Sequence, residues 1–345
     1  MRSSGRNITI KDVAKLAGCS LGTVSRVVNG SASVTEKTQI RVRKAMERLN
    51  YKPNAIARSM RTQKTQAVGF IVNEISNPLF SHIATAAEEL LMDRQQLLVL
   101  GNTSNNPVRE LELIRSLDGR QVDGFIIAVS DEKNKDVLEA LSHLSVPVVL
   151  LDRELDQPFD AVLSDHAAGV ETAVSYLVEL GHSRIALITG GDQTRPGRER
   201  LAGYKKACTK FGIPDDRNLV RTGFMSAQFG YEEACGLLSD ENRPTAIIAG
   251  GNQIFVGVMR AIKLFRLSVP EEISLVACDE TELSELADPA ITVISRDLNE
   301  LGRTAAQLLA RRMGEQGDNA ATRKIVLPTE LIVRGSCSRP KAVQA

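Results

Sequence analysis

From residue 67 onward the chain repeats one unit: a short apolar run followed by a longer segment with helical periodicity. The runs are AVGFIV (67–72), QLLVLGN (96–102), DGFIIAV (123–129), VPVVLLD (146–152), RIALITGG (184–191), TAIIAGG (245–251) and ISLVACD (273–279). Helical segments separate most of them, over 78–94, 107–119, 134–144, 166–180, 198–211, 226–239 and 253–266. A strand that is apolar at every position, rather than at alternate ones, must be covered on both faces, which points to a parallel sheet flanked by helices. There are too many runs for one such sheet. The pattern predicts an α/β core of two doubly wound parallel-sheet lobes, dividing near Ser164-Asp165. AITVIS (290–295), a helix over 297–314 and strands over 324–334 are expected to cross back to the first lobe. Ligands of such sheets bind at the carboxyl ends of the strands. In two lobes those ends can face each other across a cleft.

The first 52 residues follow a different rhythm, that of a small all-α head. Thr9 and Asp12 form a T-x-x-D capping box ahead of Ile10, Val13, Ala14 and Ala17 at helical spacing, and Gly18 ends that helix. Ser20 is a good N-cap for a second helix whose Val24, Val27 and Val28 form the buried stripe. Asn29-Gly30 stops it. A third helix begins at Thr35, with Val42, Ala45, Met46 and Leu49 on one face and Arg41, Arg43, Lys44 and Arg48 outside. After Pro53, residues 54–61 can form a helix of about two turns, too short to be stable alone in water. Thr62 to Gln66 reads as a linker. The expected division is therefore a helix-turn-helix domain over 1–52, a hinge helix and linker over 53–66, and a core over 67–345. Within the core, lobe 1 takes 67–164 and 296–335, and lobe 2 takes 165–295.

Charge separates the same parts. Residues 1–64 carry 14 Lys/Arg against 3 Asp/Glu, and the remainder carries 29 against 39. A basic, ordered head on an acidic body points to a polyanionic partner. The five cysteines are scattered, with no CxxC, and the four histidines show no metal spacing, so neither a disulfide framework nor a metal is expected. No apolar run reaches the roughly 18–20 residues that span a bilayer, and Arg2 to Lys11 is polar and basic, so a cytoplasmic protein is expected.

Two helices joined by a tight turn, the second carrying Thr23, Ser25, Arg26 and Asn29 off its apolar stripe, form a helix-turn-helix pattern. Its second helix would lie in the DNA major groove, where an arginine can bond guanine O6 and N7 together. A packing module with a solvated Arg26 is the competing reading, and the charge of the head weighs against it. TGGD (189–192) fits neither phosphate-binding glycine motif. Ser164-Asp165-His166 holds triad residue types without triad geometry. No catalytic constellation and no cofactor site are evident.

ITIKDVAKLAGCSLGTVSRVVNG followed by LNYKPNAIARSM resembles the head of the LacI/GalR family of bacterial transcriptional repressors. The likeness continues through VGFIVNEISNPLF, DGFIIA, VPVVLLDR, SDHAAG, LGHSRIALITGG, RERLAGY and P-x-x-ISLVACD, and covers residues 8 to about 335. It implies a periplasmic-binding-protein-like core, a homodimer reading a pseudo-palindromic DNA operator, and a small-molecule effector such as a sugar, sugar acid or phosphorylated sugar between the lobes. It implies that Leu21, Gly22 and Arg26 read bases, with Ile10, Ser20, Thr23, Ser25 and Asn29 at or near DNA. Tyr51 and Asn54 match backbone contacts, Ala57 the approach of the hinge helix to the minor groove, and Met60 the position that wedges between base pairs.

In the cleft the resemblance implies Phe80 and Phe224 as apolar walls, Arg200 as a guanidinium on the ligand, and Asp279 as acceptor of ligand hydroxyls. Asn252 keeps part of the usual Asn-Asp pair, and Gln253 departs from it. Asp165 sits at the lobe crossover. Arg195 and Arg198 cluster with Arg200. Either all three hold an anionic effector, or Arg195 and Arg198 are surface residues and only Arg200 enters the cleft. The C-terminal GSCSRPKAVQA has no apolar heptads, so a tetramerising coiled coil is not expected. A secreted solute-binding protein shares the core but needs export and no basic head. An enzyme on this fold needs a phosphate loop or a catalytic set.

Overall fold

The computed structural model describes residues 8–28, 33–52, 64–214, 216–314 and 321–341. The chain forms two compact units, Met1–Thr65 and Gln66–Ala345. Of the expected hinge helix, Asn54, Ala57 and Met60 lie outside the described residues, as does Asn29 of the head.

The head is three helices, α1 (Ile10–Ala17), α2 (Leu21–Val28) and α3 (Glu36–Arg48). Both the amide and the hydroxyl of Thr9 donate to the Asp12 carboxylate at 2.8 Å, which ties down the start of α1. Gly18 ends α1 in the left-handed region (φ 60°), and the following Cys19 amide returns to the Ala14 carbonyl at 3.1 Å. Ser20 Oγ then accepts the Thr23 amide at 3.1 Å and caps α2. Val13, Ala17, Val24 and Val42 close a small core, with Ile10, Val28 and Tyr51 packed at its edge.

The second unit contains two six-stranded sheets. In the first, β1 (Ala67–Val72) is flanked by β2 (Leu97–Asn102) on one side and on the other by β3 (Gly124–Ile127), β4 (Val148–Leu151), β5 (Asp160–Ser164) and β11 (Lys324–Leu327), all parallel. In the second, β6 (Ile185–Gly190) is flanked by β7 (Val220–Gly223) on one side and on the other by β8 (Ala246–Gly250), β9 (Ser274–Cys278), β10 (Thr292–Arg296) and β12 (Thr329–Ile332). Helices α4 (Pro78–Asp93), α5 (Pro107–Gly119) and α6 (Lys135–Ser142) cover the first sheet. Helices α7 (His166–Glu179), α8 (Arg195–Phe211), α9 (Ala227–Leu238) and α10 (Asn252–Leu264) cover the second. Beyond the short α11 (Glu282–Leu286), helix α12 (Leu298–Gly314) returns to pack Leu301, Ala305 and Leu309 under the first sheet. Apolar side chains line both faces of each sheet, which is why its strands read as unbroken apolar runs.

Three details depart from the sequence expectation. First, the segment 324–334 does not belong wholly to lobe 1. β11 joins the first sheet, but after Pro328 the chain crosses again and β12 pairs antiparallel with β10, Val293 opposite Ile332. Residues to Lys341 follow it: the Leu275 amide donates to the Ser336 carbonyl at 2.9 Å, and Ser336 Oγ donates to the Leu275 carbonyl at 2.6 Å. Second, β5 and β7 are additional strands. DAVLS opens on a carboxylate, yet Asp160 is buried because Arg312 pairs with it through Nε at 2.6 Å and Nη2 at 3.0 Å. VRTG is an edge strand with little apolar content. Third, α8 begins at Arg195, one turn earlier than the spacing suggests. Among the described residues no helix is long and apolar enough to cross a membrane.

Candidate functional site

In each sheet the strand order reverses beside one strand, β1 in the first and β6 in the second, so the connections leaving those strands part to opposite faces and open a crevice at their carboxyl ends. The two crevices meet in one cavity of about 410 Å³. Asn73 and Asn77 follow β1 in its wall, and Gly190, Gly191, Gln193 and Thr194 follow β6. Gly197 holds the second edge in place: a Cβ there would lie 2.0 Å from the Gly191 carbonyl oxygen, so only glycine lets α8 approach this loop.

Of the cleft residues expected from sequence, the cavity is lined by Phe80, Arg200, Phe224, Asn252 and Asp279. Phe224 is 75% exposed, an apolar face turned to solvent at the rim. Arg195, Arg198 and Asp165 are not in its wall. Helix geometry separates the arginines: at about 100° per residue, Arg198 points some 200° away from Arg200. Arg198 instead pairs with Glu132 of the first lobe at 2.5 Å, and buried Arg195 donates its backbone amide to the same carboxylate at 2.7 Å and Nη1 to the Ser164 carbonyl at 2.7 Å. The Glu132 amide donates to the Gln193 carbonyl at 2.9 Å, so this one residue stitches the lobes together beside the cavity. Asp165 caps α7 by accepting the Ala168 amide at 3.0 Å, and its carbonyl accepts Thr329 Oγ1 at 2.9 Å. Its work is to bind two crossing strands together.

The floor holds residues that sequence reasoning missed. Asp152 follows β4 and Asp279 follows β9, both in the left-handed region, with φ of 53° and 73°. The two lobes thus present a carboxylate by the same backbone device, one that Asp tolerates better than most residues. Arg296, at the end of β10, lies between them. Its Nε donates to Asp279 Oδ1 at 2.6 Å and its Nη1 bonds Asp152 Oδ2. Asp152 also accepts His166 Nε2 at 2.9 Å and the Ser164 amide at 3.0 Å. Arg200 Nη2 approaches Asp279 at 3.6 Å, and its Nη1 donates to the Gly250 carbonyl at 2.8 Å. Burial pushes both carboxyls up, but their partners prevail. The charge of Arg296 and the hydrogen bond from His166 hold Asp152 well below the usual carboxylate range, and Arg296 and Arg200 hold Asp279 below it. Burial pushes the His166 imidazole down to about 4, so it is neutral at pH 7. Asp152 stands after VPVVLL as Asp279 stands after SLVAC; that parallel was the available sequence signal.

The cavity has no nucleophile–base pair, and among the described residues no group of His, Cys, Asp and Glu could hold a metal ion.

The head presents a second candidate surface. On α2, Leu21, Ser25, Gly22 and Arg26 fall within an arc of about 140°, opposite the valines. Leu21, Gly22 and Arg26 are exposed, as is Ser20. A Cβ on Gly22 would meet only Ser20 Oγ at 3.8 Å, so the position has room that the fold does not use. Thr23 and Ser25 are half-buried, the Thr23 hydroxyl sharing a 2.9 Å bond with Ser20 Oγ. Ile10 and Tyr51 are also half-buried, packed against the core of the head.

A family model for bacterial regulatory proteins of the lacI family matches residues 9–54, and one for a periplasmic binding protein-like domain matches residues 174–337. The chain is 32% identical to the HTH-type transcriptional regulator DegA of Bacillus subtilis over 96% of this chain and 98% of that protein. The chain belongs to the LacI family. Catabolite control protein A of Priestia megaterium, at 33% identity over 90% of this chain and 94% of its own, is another similar LacI-family regulator. Among solved structures, the lac repressor dimer bound to operator and the anti-inducer ONPF superposes with a TM-score of 0.85 at 30% identity, covering 96% of this chain and all of that one. As a LacI-family member this chain is a DNA-binding transcriptional regulator and not an enzyme.

Proposed function

We propose that the protein is a cytoplasmic homodimeric repressor that grips a pseudo-palindromic operator, with a small metabolite between its core lobes setting the grip. The observation that carries the effector half is the cavity at the switch points of both sheets, walled by side chains from each lobe. A ligand there that binds one inter-lobe angle better than another shifts the population toward that angle. The operator half rests on the exposed row of α2 and the basic head. The lac repressor dimer on its operator supports the dimeric arrangement.

In this reading Leu21, Gly22 and Arg26 face base edges, and Ser20, Thr23, Ser25 and Asn29 approach the DNA with Ile10 and Tyr51 behind them. Asn54, Ala57 and Met60 belong to a hinge segment that folds only when two copies meet in the minor groove. Phe80, Phe224, Asn252, Arg200 and Asp279 contact the effector. The deciding experiment is fluorescence anisotropy of the full chain on labelled genomic fragments from its own locus. Tight binding to one fragment that weakens steeply with salt and changes with a metabolite supports the proposal. Equal, weak binding to every fragment overturns it.

A further inference from the structure

A row of cations on α3 takes no part in the site described above. At about 100° per residue, Lys37, Arg41, Lys44 and Arg48 fall within an arc of about 60°, and all four are exposed. Glu36, Ile40, Arg43 and Glu47 fill a second exposed arc of about the same width. Val42 and Ala45 lie between the two arcs, against the core of the head. Residues 1–64 contain three acids, Asp12, Glu36 and Glu47. Asp12 is held by Thr9 at the start of α1, and both glutamates lie in the second arc. None of the four cations forms an ion pair among the described residues.

A helix face that is merely solvated mixes its signs, with acids three or four residues from bases. On this face 37 and 41, 41 and 44, and 44 and 48 are like-charged neighbours, a spacing that destabilises a free helix. The row is therefore unfavourable to the fold until something anionic covers it. Arg41 fixes where the row lies. Its Nη2 donates to Cys19 Sγ at 3.1 Å, one residue before Ser20 caps α2. The row thus passes beside the turn that leads into α2, and it runs for about 16 Å along α3, on a different element from the exposed row of α2. With the start of α2 in a major groove, that turn stands over the phosphates at the rim of the groove.

We propose, building on the operator reading above, that Lys37, Arg41, Lys44 and Arg48 form a second DNA-binding surface of the head, which grips the phosphate backbone bordering the groove that α2 enters. This surface reads no bases. It adds affinity for any duplex and, through counterion release, adds to the salt dependence of binding.

The test is fluorescence anisotropy of the full chain on two labelled duplexes of about 40 bp, one from its own locus and one of random sequence, between about 50 and 200 mM salt. The readout is the slope of log affinity against log salt, to which each phosphate contact contributes about 0.9. Arg48→Gln should flatten the slope by about 1, and the double variant Lys44→Gln/Arg48→Gln by about 2, on both duplexes alike. Arg43→Gln makes the same chemical change in the second arc and should leave the slope close to that of the parent. Arg48→Lys keeps the charge and should keep the slope. If Arg48→Lys loses as much as Arg48→Gln, the residue acts through the fold and the proposal fails. Equal losses from Arg43→Gln and Arg48→Gln trace the effect to the net charge of the head and overturn the proposal as well. A parent that binds steeply, with an unchanged slope in the double variant, overturns the α3 surface alone and leaves the operator reading standing; an acidic protein is then the better match for the row. A parent that binds neither duplex at low salt overturns both.

Discussion

Asn252 of the second lobe donates Nδ2–H to Oδ1 of Asn77 in the first at 2.7 Å, both residues being buried. The same Asn77 oxygen accepts the Leu79 amide at 3.1 Å and caps α4. One side-chain oxygen therefore does two jobs: it starts a helix of one lobe and holds the other lobe. Any ligand that recruits the Asn252 amide must compete with this bond, so in the proposed reading effector contact and lobe contact draw on the same donor.

The bond should be visible as a coupling energy. Asn77→Ala loses a cap and a bridge and should destabilise the chain by about 1–2 kcal/mol. Asn252→Ala should cost less. The double variant should fall short of the sum by about 1 kcal/mol in urea denaturation. Strict additivity would mean that the inter-lobe bond contributes nothing.

Glu132 is the corresponding seam on the other side of the cavity. Glu132→Ala removes the acceptor of the Arg195 amide and of Arg198 Nη2; because Arg198 is partly exposed and also bonds the Asp192 carbonyl, the cost should be about 1–2 kcal/mol. Because the bonds cross between lobes, the loss should appear as a wider cleft as well as a lower melting temperature. Small-angle scattering of the core should give a larger radius of gyration. A lower melting temperature with an unchanged radius would place the effect within one lobe.

Glu110 makes stability depend on pH. It is fully buried behind the cavity, where its carboxylate accepts the Ser130 amide at 3.1 Å, and burial raises its pKa to about 7. The folded state holds a proton that the unfolded chain releases near 4.5, so Glu110 favours folding most below that pH. Its contribution is lost as pH rises through about 7, a swing of roughly 3 kcal/mol. Glu110→Gln keeps the acceptor without the charge. It should come close to the parent at pH 4 and melt higher at pH 8; equal melting curves at both pH values would refute this.

On the head, Arg26→Ala should relax preference at one operator base pair at a cost of about 1–3 kcal/mol there. Uniform weakening across all sequences would mean that Arg26 touches only phosphate. Gly22→Ala should keep or slightly raise the melting temperature, because α2 has space for the methyl group. Its operator affinity should nonetheless change if, as proposed, that methyl faces the DNA. If affinity is unaltered, Gly22 does not lie at the interface.

Much of this was readable in the sequence for a physical reason. A strand covered on both faces must be apolar throughout, so the central strands announce themselves, as VGFIV and DGFIIA do. DAVLS was hidden because its buried Asp160 depends on Arg312, a partner 152 residues away. TELI was placed in the wrong lobe because a short strand does not reveal its neighbour. Phe80, Arg200, Phe224, Asn252 and Asp279 were placed by resemblance, and all five reach the cavity wall. Arg195 and Arg198 were grouped with Arg200 by proximity in sequence, which a helix undoes within two residues. Arg296 could not be assigned, because a lone arginine after a strand gives no sign that two aspartates 144 and 17 residues away converge on it.

The chain passes between the lobes three times, around Asp165, around Asp297 and at Pro328. The first and last passages are bonded side by side, the Asp165 amide to the Leu327 carbonyl at 2.9 Å and Thr329 Oγ1 to the Asp165 carbonyl. A single tether would let the lobes swivel and slide as well as bend. Three adjacent tethers resist torsion and sliding and leave bending as the soft coordinate. Whatever metabolite enters, the core can express it as little more than one angle. Differently shaped ligands that hold the same angle therefore leave the two lobes in the same state.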